Sequence, residues 1–345
     1  MRTSMSSRAG RQVLVLCAVM ILAVMQPISA GAGRIAAYLF DGTPGTQNPA
    51  MVEDAGGDAL LDLSIGSSAE YNVDSPFSGE TDTSLDVSGG LNERAENIST
   101  DAYKFDHQNQ AWSITMWIKG VVQGGYAQIV GQRKASTGNG WYVGVNSGGE
   151  AFVFTQGLTG AQARGVSGES NLFDSQWHHI VVVNDPASDL DGNGDGEILL
   201  YVDNSAPLSH KKVITESPPD YGNSVFCVGT GRDLSAGTYN QFSGRVDEVA
   251  VFNHALTAQE VDFYFNNSLG STIEISFNMV GVTNAAIFEF ESFLGLTYRL
   301  DRATTLGPPD DFSPTGSFLK GNGSTMTLAD PSGPSSSHIY RIVIP

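Results

Sequence analysis

This 345-residue sequence predicts an all-β body, two antiparallel sheets packed face to face. Forty glycines punctuate it, and apolar residues seldom recur at helical spacing. Its strongest signals are β-branched and aromatic runs bounded by Asp, Gly and Pro, clearest in Trp177–Asn184 and Glu197–Asp203. Ile180, Val181, Val182 and Val183 stand together in the first run, and Ile198 through Val202 in the second. A strand that is apolar at nearly every position is one covered on both faces. These two are therefore expected in the middle of the sandwich, joined by an Asp/Gly-rich loop.

Ahead of this body, Arg2, Arg8 and Arg11 precede the apolar run Val13–Met25, and Pro27 and the small residues Ser29 to Ala32 follow. A basic start, an apolar core and a small-residue exit describe a secretory signal peptide, here residues 1–32, and imply a secreted protein. The run is shorter than the roughly 20 residues of a membrane-spanning helix, so no integral membrane segment is expected in the mature chain. Cleavage removes three of the 18 basic residues and none of the 37 acidic ones, leaving 15 against 37 and a net charge near −22. Such a surface repels phosphate backbones, which excludes nucleic acid as a partner. Cys17 leaves with the signal and Cys227 stays alone, so no intramolecular disulfide forms and the core carries the stability.

Along the chain, Arg34–Asp41 is the first strand, and residues 51–100 are irregular and acidic, with short candidates at Ala59–Leu63 and Ser84–Val87. Ala111–Lys119 alternates, with Trp112, Ile114, Met116 and Ile118 on one face and Ser113, Thr115 and Trp117 on the other. Tyr126–Arg133, Gly140–Asn146 and Glu150–Thr155 follow, the last two joined across Asn146-Ser-Gly-Gly149 as a hairpin. After the central pair come Ser224–Gly229 and Gly244–Asn253. Thr257-Ala-Gln-Glu260 is a capping box, and Val261, Tyr264 and Phe265 beyond it form the apolar stripe of one short helix packed on the sandwich. Beyond it, strands are expected at Ile273–Phe277, Ala286–Glu291, Thr297–Asp301, Ser324–Ala329 and Ile339–Ile344.

The order of these pieces, ending in Arg245-Val-Asp247-Glu248-Val-Ala-Val-Phe252-Asn253-His254-Ala255-Leu256-Thr257-Ala-Gln-Glu260, resembles the LamG-like jelly-roll domain of the concanavalin A-like lectin/glucanase superfamily, in its secreted bacterial form. The family shows Asp-Glu, an apolar strand and an Asn-Arg-Ala-Leu-Ser-Xaa-Xaa-Glu helix entry; His254 stands here in place of the Arg. The resemblance implies a jelly roll over residues 33–270. Residues 271–345 resemble the small β-sandwich appended to many secreted bacterial proteins. The resemblance also implies a core position for the Trp177-His178-His179 run. It leaves function open, because the fold serves lectins, adhesion modules and appendages of hydrolases alike.

The loop spells out chemistry of its own. Asp191, Asn193 and Asp195 stand at positions one, three and five of an EF-hand-type loop, with Gly196 at six, Glu197 at seven and Ile198 at eight. Calcium takes six to eight hard oxygens, and Asp189, Asp203 or water would complete the set. Position twelve, normally a bidentate Glu, is Val202, and the flanks are strands. The loop reads either as a calcium site of Asp189, Asp191, Asn193, Asp195 and Glu197 or as an acidic hairpin turn. His178 and His179 point to opposite faces of their strand and cannot share one ion.

Catalysis finds no residues to carry it. The superfamily's β-glucanases hold their carboxylates on one strand as Glu-Xaa-Asp-Xaa-Xaa-Glu, a run that is absent here. Asp247 and Glu248 are adjacent and expected on opposite faces, and Cys227 between Phe226 and Val228 is a core thiol. Trp141, Tyr142, Tyr221 and Tyr239 lie near turns, where they either stack on sugar rings or fill the core. The sequence thus predicts a secreted, non-catalytic recognition module for a glycan or an extracellular protein, aided by calcium. Its rivals are a structural part of an extracellular assembly and a diverged glycosidase.

Overall fold

The computed structural model describes residues 34–47, 50–54, 58–66, 68–77, 82–90, 92–157, 162–166, 172–189, 196–211, 219–269, 278–281, 286–292, 297–303, 313–315, 319–321, 324–331 and 339–343, and its centre is the strand Trp112–Gly120. Trp112, Ile114, Met116 and Ile118 enter the main core, as their alternation requires. Ser113 and Thr115 point the other way and are buried too. Ser113 Oγ donates to His254 O at 2.8 Å and accepts from Leu256 N at 2.9 Å, so it fixes the approach to the helix. His178–Asp185 pairs antiparallel on one side of this strand and Gly244–Phe252 on the other.

One sheet runs from Leu208–Lys211 through Glu197–Val202, His178–Asp185, Trp112–Gly120, Gly244–Phe252 and Ser84–Asp86 to Glu70–Asn72. Arg34–Tyr38 also pairs on Gly244–Phe252. The facing sheet runs from Gln162–Val166 through Ala151–Gln156, Gly140–Val145, Ala127–Arg133, Ser224–Val228, Ala95–Asn97 and Leu63–Ile65 to Met51–Val52. The two short strands Gly231–Asp233 and Gly237–Tyr239 extend it beside Ser224–Val228. Between the sheets lie Trp112, Trp141, Tyr38, Tyr103, Phe226 and their aliphatic neighbours. Each such side chain taken from water contributes roughly 1.5–3 kcal/mol. The polar ends of the rings are met inside: Trp141 Nε1 donates to Tyr103 O at 2.8 Å and Tyr221 OH to Phe105 O at 2.8 Å.

The central pair is covered on both faces. Ile180, Val182, Ile198, Leu200 and Val202 face the opposite sheet, whereas Val181, Val183 and Tyr201 join a second cluster. That cluster holds Val261 and Tyr264 of the helix Ala258–Asn266 together with Phe288, Phe290, Tyr298, Leu300, Leu328 and Ile342. The helix starts with the expected box: Glu260 N donates to Thr257 Oγ1 at 3.2 Å, and Thr257 N donates back to Glu260 Oε2 at 2.8 Å. Its Phe265 stacks on Trp117, with centroids 5.5 Å apart. The later strands form two small sheets, Asn278–Gly281 with Ala286–Glu291 and Thr325–Asp330, and Thr297–Ala303 with Ser313–Pro314, Leu319–Lys320 and Ile339–Val343.

One expected strand does not fall as read. Ala59 and Leu60 form a turn, because Asp58 accepts Leu60 N on its side chain at 3.0 Å and Leu61 N on its carbonyl at 2.8 Å; the strand begins at Leu63. Ile273–Phe277 lies outside the described residues.

Candidate functional site

The Asp/Gly loop connects His178–Asp185 to Glu197–Val202, whose ends meet in register at Asp185 and Glu197. Asp191, Asn193 and Asp195 lie outside the described residues. Asp189 is exposed where the loop begins, and Glu197 is buried where it ends. Gly196 holds φ at +76°, and a Cβ there would sit 2.8 Å from Pro186 Cα, so the turn at position six needs a glycine. Asp203 cannot complete a shell in this loop. It follows Val202, one strand of about 20 Å away, and its oxygens accept from His179 N at 2.8 Å and pair with His178 Nδ1 at 2.7 Å. Among the described residues no group of three or more His, Cys, Asp or Glu side chains is placed to hold an ion.

His178 and His179 separate as strand alternation demands. His178 reaches both Asp203 and, through Nε2 at 3.0 Å, Asp174; these partners, Asp203 foremost, raise its pKa. His179 is buried against Trp117 and Thr115 Oγ1, and burial drops its pKa to about 3, so it is a neutral core residue.

The Asp247–Glu248 pair departs from the expected geometry. A register shift between Asp247 and Ala250, with Glu248 at φ +52°, interrupts the alternation, and both carboxyls are buried. Asp247 accepts from Ser75 Oγ at 3.0 Å and from Glu248 N at 2.8 Å; Glu248 accepts from Ser268 Oγ at 2.6 Å and from Leu269 N. Burial, then the Glu248 charge, pushes Asp247 well above the usual carboxylate range. Burial also lifts Glu248 to about 7, with Asp82 and Asp41 adding to it. The cluster is a packed acidic corner between sheet and helix. A separate recess of about 480 Å³, lined by Tyr71, Glu70, Asp86 and Glu93 among others, is likewise acidic.

The outer face of the larger sheet is different. Trp141, Val143, Val145, Ala151 and Val153 turn into the core, so Tyr142, Phe152 and Phe154 between them turn outward and form a cluster of their own. Tyr126, 59% exposed, stands edge-on to Phe152 with centroids 5.2 Å apart. The Arg133 guanidinium lies 5.1 Å from the Tyr142 centroid and 5.4 Å from those of Phe154 and Tyr239. The four aromatics singled out in the sequence thus divide: Trp141 and Tyr221 are core, Tyr142 and Tyr239 belong to this face. Arg133, Tyr126, Phe152 and Phe154 were not singled out. The signal was present, since Phe152 and Phe154 occupy the alternate positions of a hairpin strand where polar residues are usual. Cys227 is a buried thiol whose pKa burial raises, as expected of a core residue.

No curated protein matches the sequence. Among solved structures, the binding domain of paraclostridial mosquitocidal protein 1 is similar at 15% identity and TM-score 0.49, over 78% of this chain and 59% of that one. The chain therefore spans less than two thirds of that domain. The botulinum neurotoxin serotype G binding domain is similar at 12% identity and TM-score 0.49, over 90% and 81%. Domain 4 of AbnA, a GH43 extracellular arabinanase from Geobacillus stearothermophilus solved with arabinotriose, is similar at 15% identity and TM-score 0.43, over 67% and 97%. None of these likenesses assigns a ligand to this chain. No helix among the described residues is long and apolar enough to cross a membrane. A laminin G-like family model described as the concanavalin A-like lectin/glucanases superfamily matches residues 92–262, the stretch from Ala95–Asn97 through Gly244–Phe252 into the helix. Over that jelly roll, the chain belongs to the concanavalin A-like lectin/glucanase superfamily.

Proposed function

We propose that this chain is a secreted, non-catalytic recognition module that binds a glycan or a surface protein. In this reading a signal peptide over residues 1–32 precedes the jelly roll of 33–270, and residues 271–345 are its accessory β domain. The observation that carries the reading is the outer sheet face, where Tyr126 is exposed and the ring-mounted Arg133 partly so, beside the buried rings of Tyr142, Phe152 and Phe154. Aromatic faces with a few polar groups suit sugar rings and protein hot spots alike. The sequence has no Glu-Xaa-Asp-Xaa-Xaa-Glu ladder, which the retaining chemistry of the glucanases would need. Calcium held by Asp189, Asp191, Asn193, Asp195 and Glu197 is proposed as an aid to the fold of the loop, with no step of recognition routed through it.

A glycan array probed with the mature protein, with and without calcium, should return specific hits. A blank array together with no captured surface protein would leave the structural reading, in which the jelly roll only packs against neighbours. Release of reducing sugar from a polysaccharide panel would instead establish a glycosidase.

A further inference from the structure

We propose that Arg133 anchors the carboxylate of an acidic sugar, with Tyr239 beside it as a ring surface; this rests on the recognition reading above. Arg133 sits on the edge of the aromatic face, half-buried, with its guanidinium within 5.4 Å of three ring centroids. Stacking of this kind fixes the plane of the fork and leaves its edge, where the N–H donors lie, to be met by something else. Nothing in the described protein meets the inner end of it: Nε is buried and has no hydrogen-bond partner among the described residues. A buried donor without an acceptor is costly and rare in native folds.

Five other arginines among the described residues each hold a carboxylate. Arg94 and Arg232 hold Glu96, Arg245 holds Asp74 and Asp86, Arg299 holds Asp301, and Arg302 holds Asp330. In a chain with 37 acidic and 18 basic residues, Arg133 has no carboxylate among the described residues. The site is also built to keep it so. Tyr239 OH donates to the Arg133 carbonyl at 2.7 Å, which pins the ring. A Cβ at Gly231 would fall 2.3 Å from that ring, so the ring's seat depends on the glycine. Packing alone would account for the three rings but not for the dry, unmet Nε. A carboxylate is planar and takes two N–H donors of one guanidinium side by side, and the Nη donors of Arg133 are not among the buried unmet atoms. Tyr239, only partly buried beside the guanidinium, offers a ring against which the sugar carrying that carboxylate can lie.

The test is a binding titration of the full mature protein with four probes: oligogalacturonate, its methyl ester, sialyllactose and lactose. At least one acidic probe should bind, and its neutral counterpart should bind at least about tenfold more weakly, the loss expected of a charge-assisted hydrogen bond. Which acid binds distinguishes a uronate from a sialate source. Affinity for it should fall with added salt. Arg133→Gln should erase the preference for the acid, and Arg133→Lys should restore it in part. The acid-against-ester comparison needs no variant, so it stands even if a substitution at Arg133 unfolds the sheet. Equal binding of acid and ester, or a preference that survives Arg133→Gln, overturns this inference and leaves the recognition reading intact. No binding of any of the four also overturns it; the recognition reading falls only if the wider array and the surface-protein capture are blank as well.

Discussion

Asp247 and Glu248 put two carboxyls where water does not reach. Glu248 binds its proton with a pKa of about 7 in the folded chain, above the ordinary value of 4.5. Between those pH values the folded state holds a proton that the unfolded state has released, so stability falls as pH rises. The shift corresponds to about 3 kcal/mol, absent below pH 4.5 and fully felt above 7. Asp247→Asn keeps the geometry, since its Oδ1 can still accept from Glu248 N and its amide can donate to Ser75 Oγ. In chelator-treated protein at pH 8 this variant should melt a few degrees above the wild type, with the gap closing as pH falls toward 3.8, the ordinary value for Asp247; an equal gap at both pH values would mean that charge burial is not the cause. His178 runs the opposite way. Its Asp203 and Asp174 partners raise its folded pKa, so its stabilisation is whole below pH 6.5 and lost as pH climbs through the raised value. An NMR titration should find His178 titrating above 6.5 while His179 stays neutral down to about pH 3. Sequence alone separated the two histidines by strand parity. It could not see the bulge at Glu248, because an αL glutamate leaves no mark in the pattern of its neighbours.

At the scale of elements, the capping box is the cleanest case, readable as Thr257 and Glu260 three apart and found with both bonds made. Thr257→Ala should cost about 1 kcal/mol in thermal melting, and more than that if the helix entry also moves Leu256 off Ser113. The Asp/Gly loop is the harder case. With position twelve occupied by Val202, calcium affinity should fall on the order of 10⁻⁴–10⁻³ M. At ten times the dissociation constant the ion adds roughly 1.4 kcal/mol, so millimolar calcium should raise the melting midpoint by a few degrees over EDTA. Asp191→Ala with Asp195→Ala should abolish that gain; a double mutant that gains as much as the wild type places the ion elsewhere. The long strands were legible because their core faces alternate or run apolar. Of the short ones between residues 51 and 100, Ser84–Asp86 was read but Met51–Val52 and Leu63–Ile65 were not, because pieces of two or three residues offer no period to read.

For the molecule as a whole, the unexpected feature is what lies against the central sheet. Val181, Val183, Tyr201, Ala250 and Phe252 share one buried cluster with Phe288, Phe290 and Tyr298. The sequence showed those strands to be apolar on two faces but could not say what covered the second. All four tryptophans, Trp112, Trp117, Trp141 and Trp177, belong to the jelly roll, so their fluorescence reports on it alone. Phe290→Ala leaves a cavity worth about 3–5 kcal/mol, and the tryptophan-detected midpoint should drop with it. A jelly roll whose midpoint ignores Phe290→Ala would show the two parts to be energetically independent.

That shared cluster gives the sandwich a back and a front. The smaller sheet turns its outer surface to the helix and the C-terminal strands, and on the opposite side Tyr126 is exposed and Arg133 partly so. Recognition through that side would meet a partner from one direction. Copies arrayed on a surface by their backs would all show the same face, and weak single contacts would add up through their number.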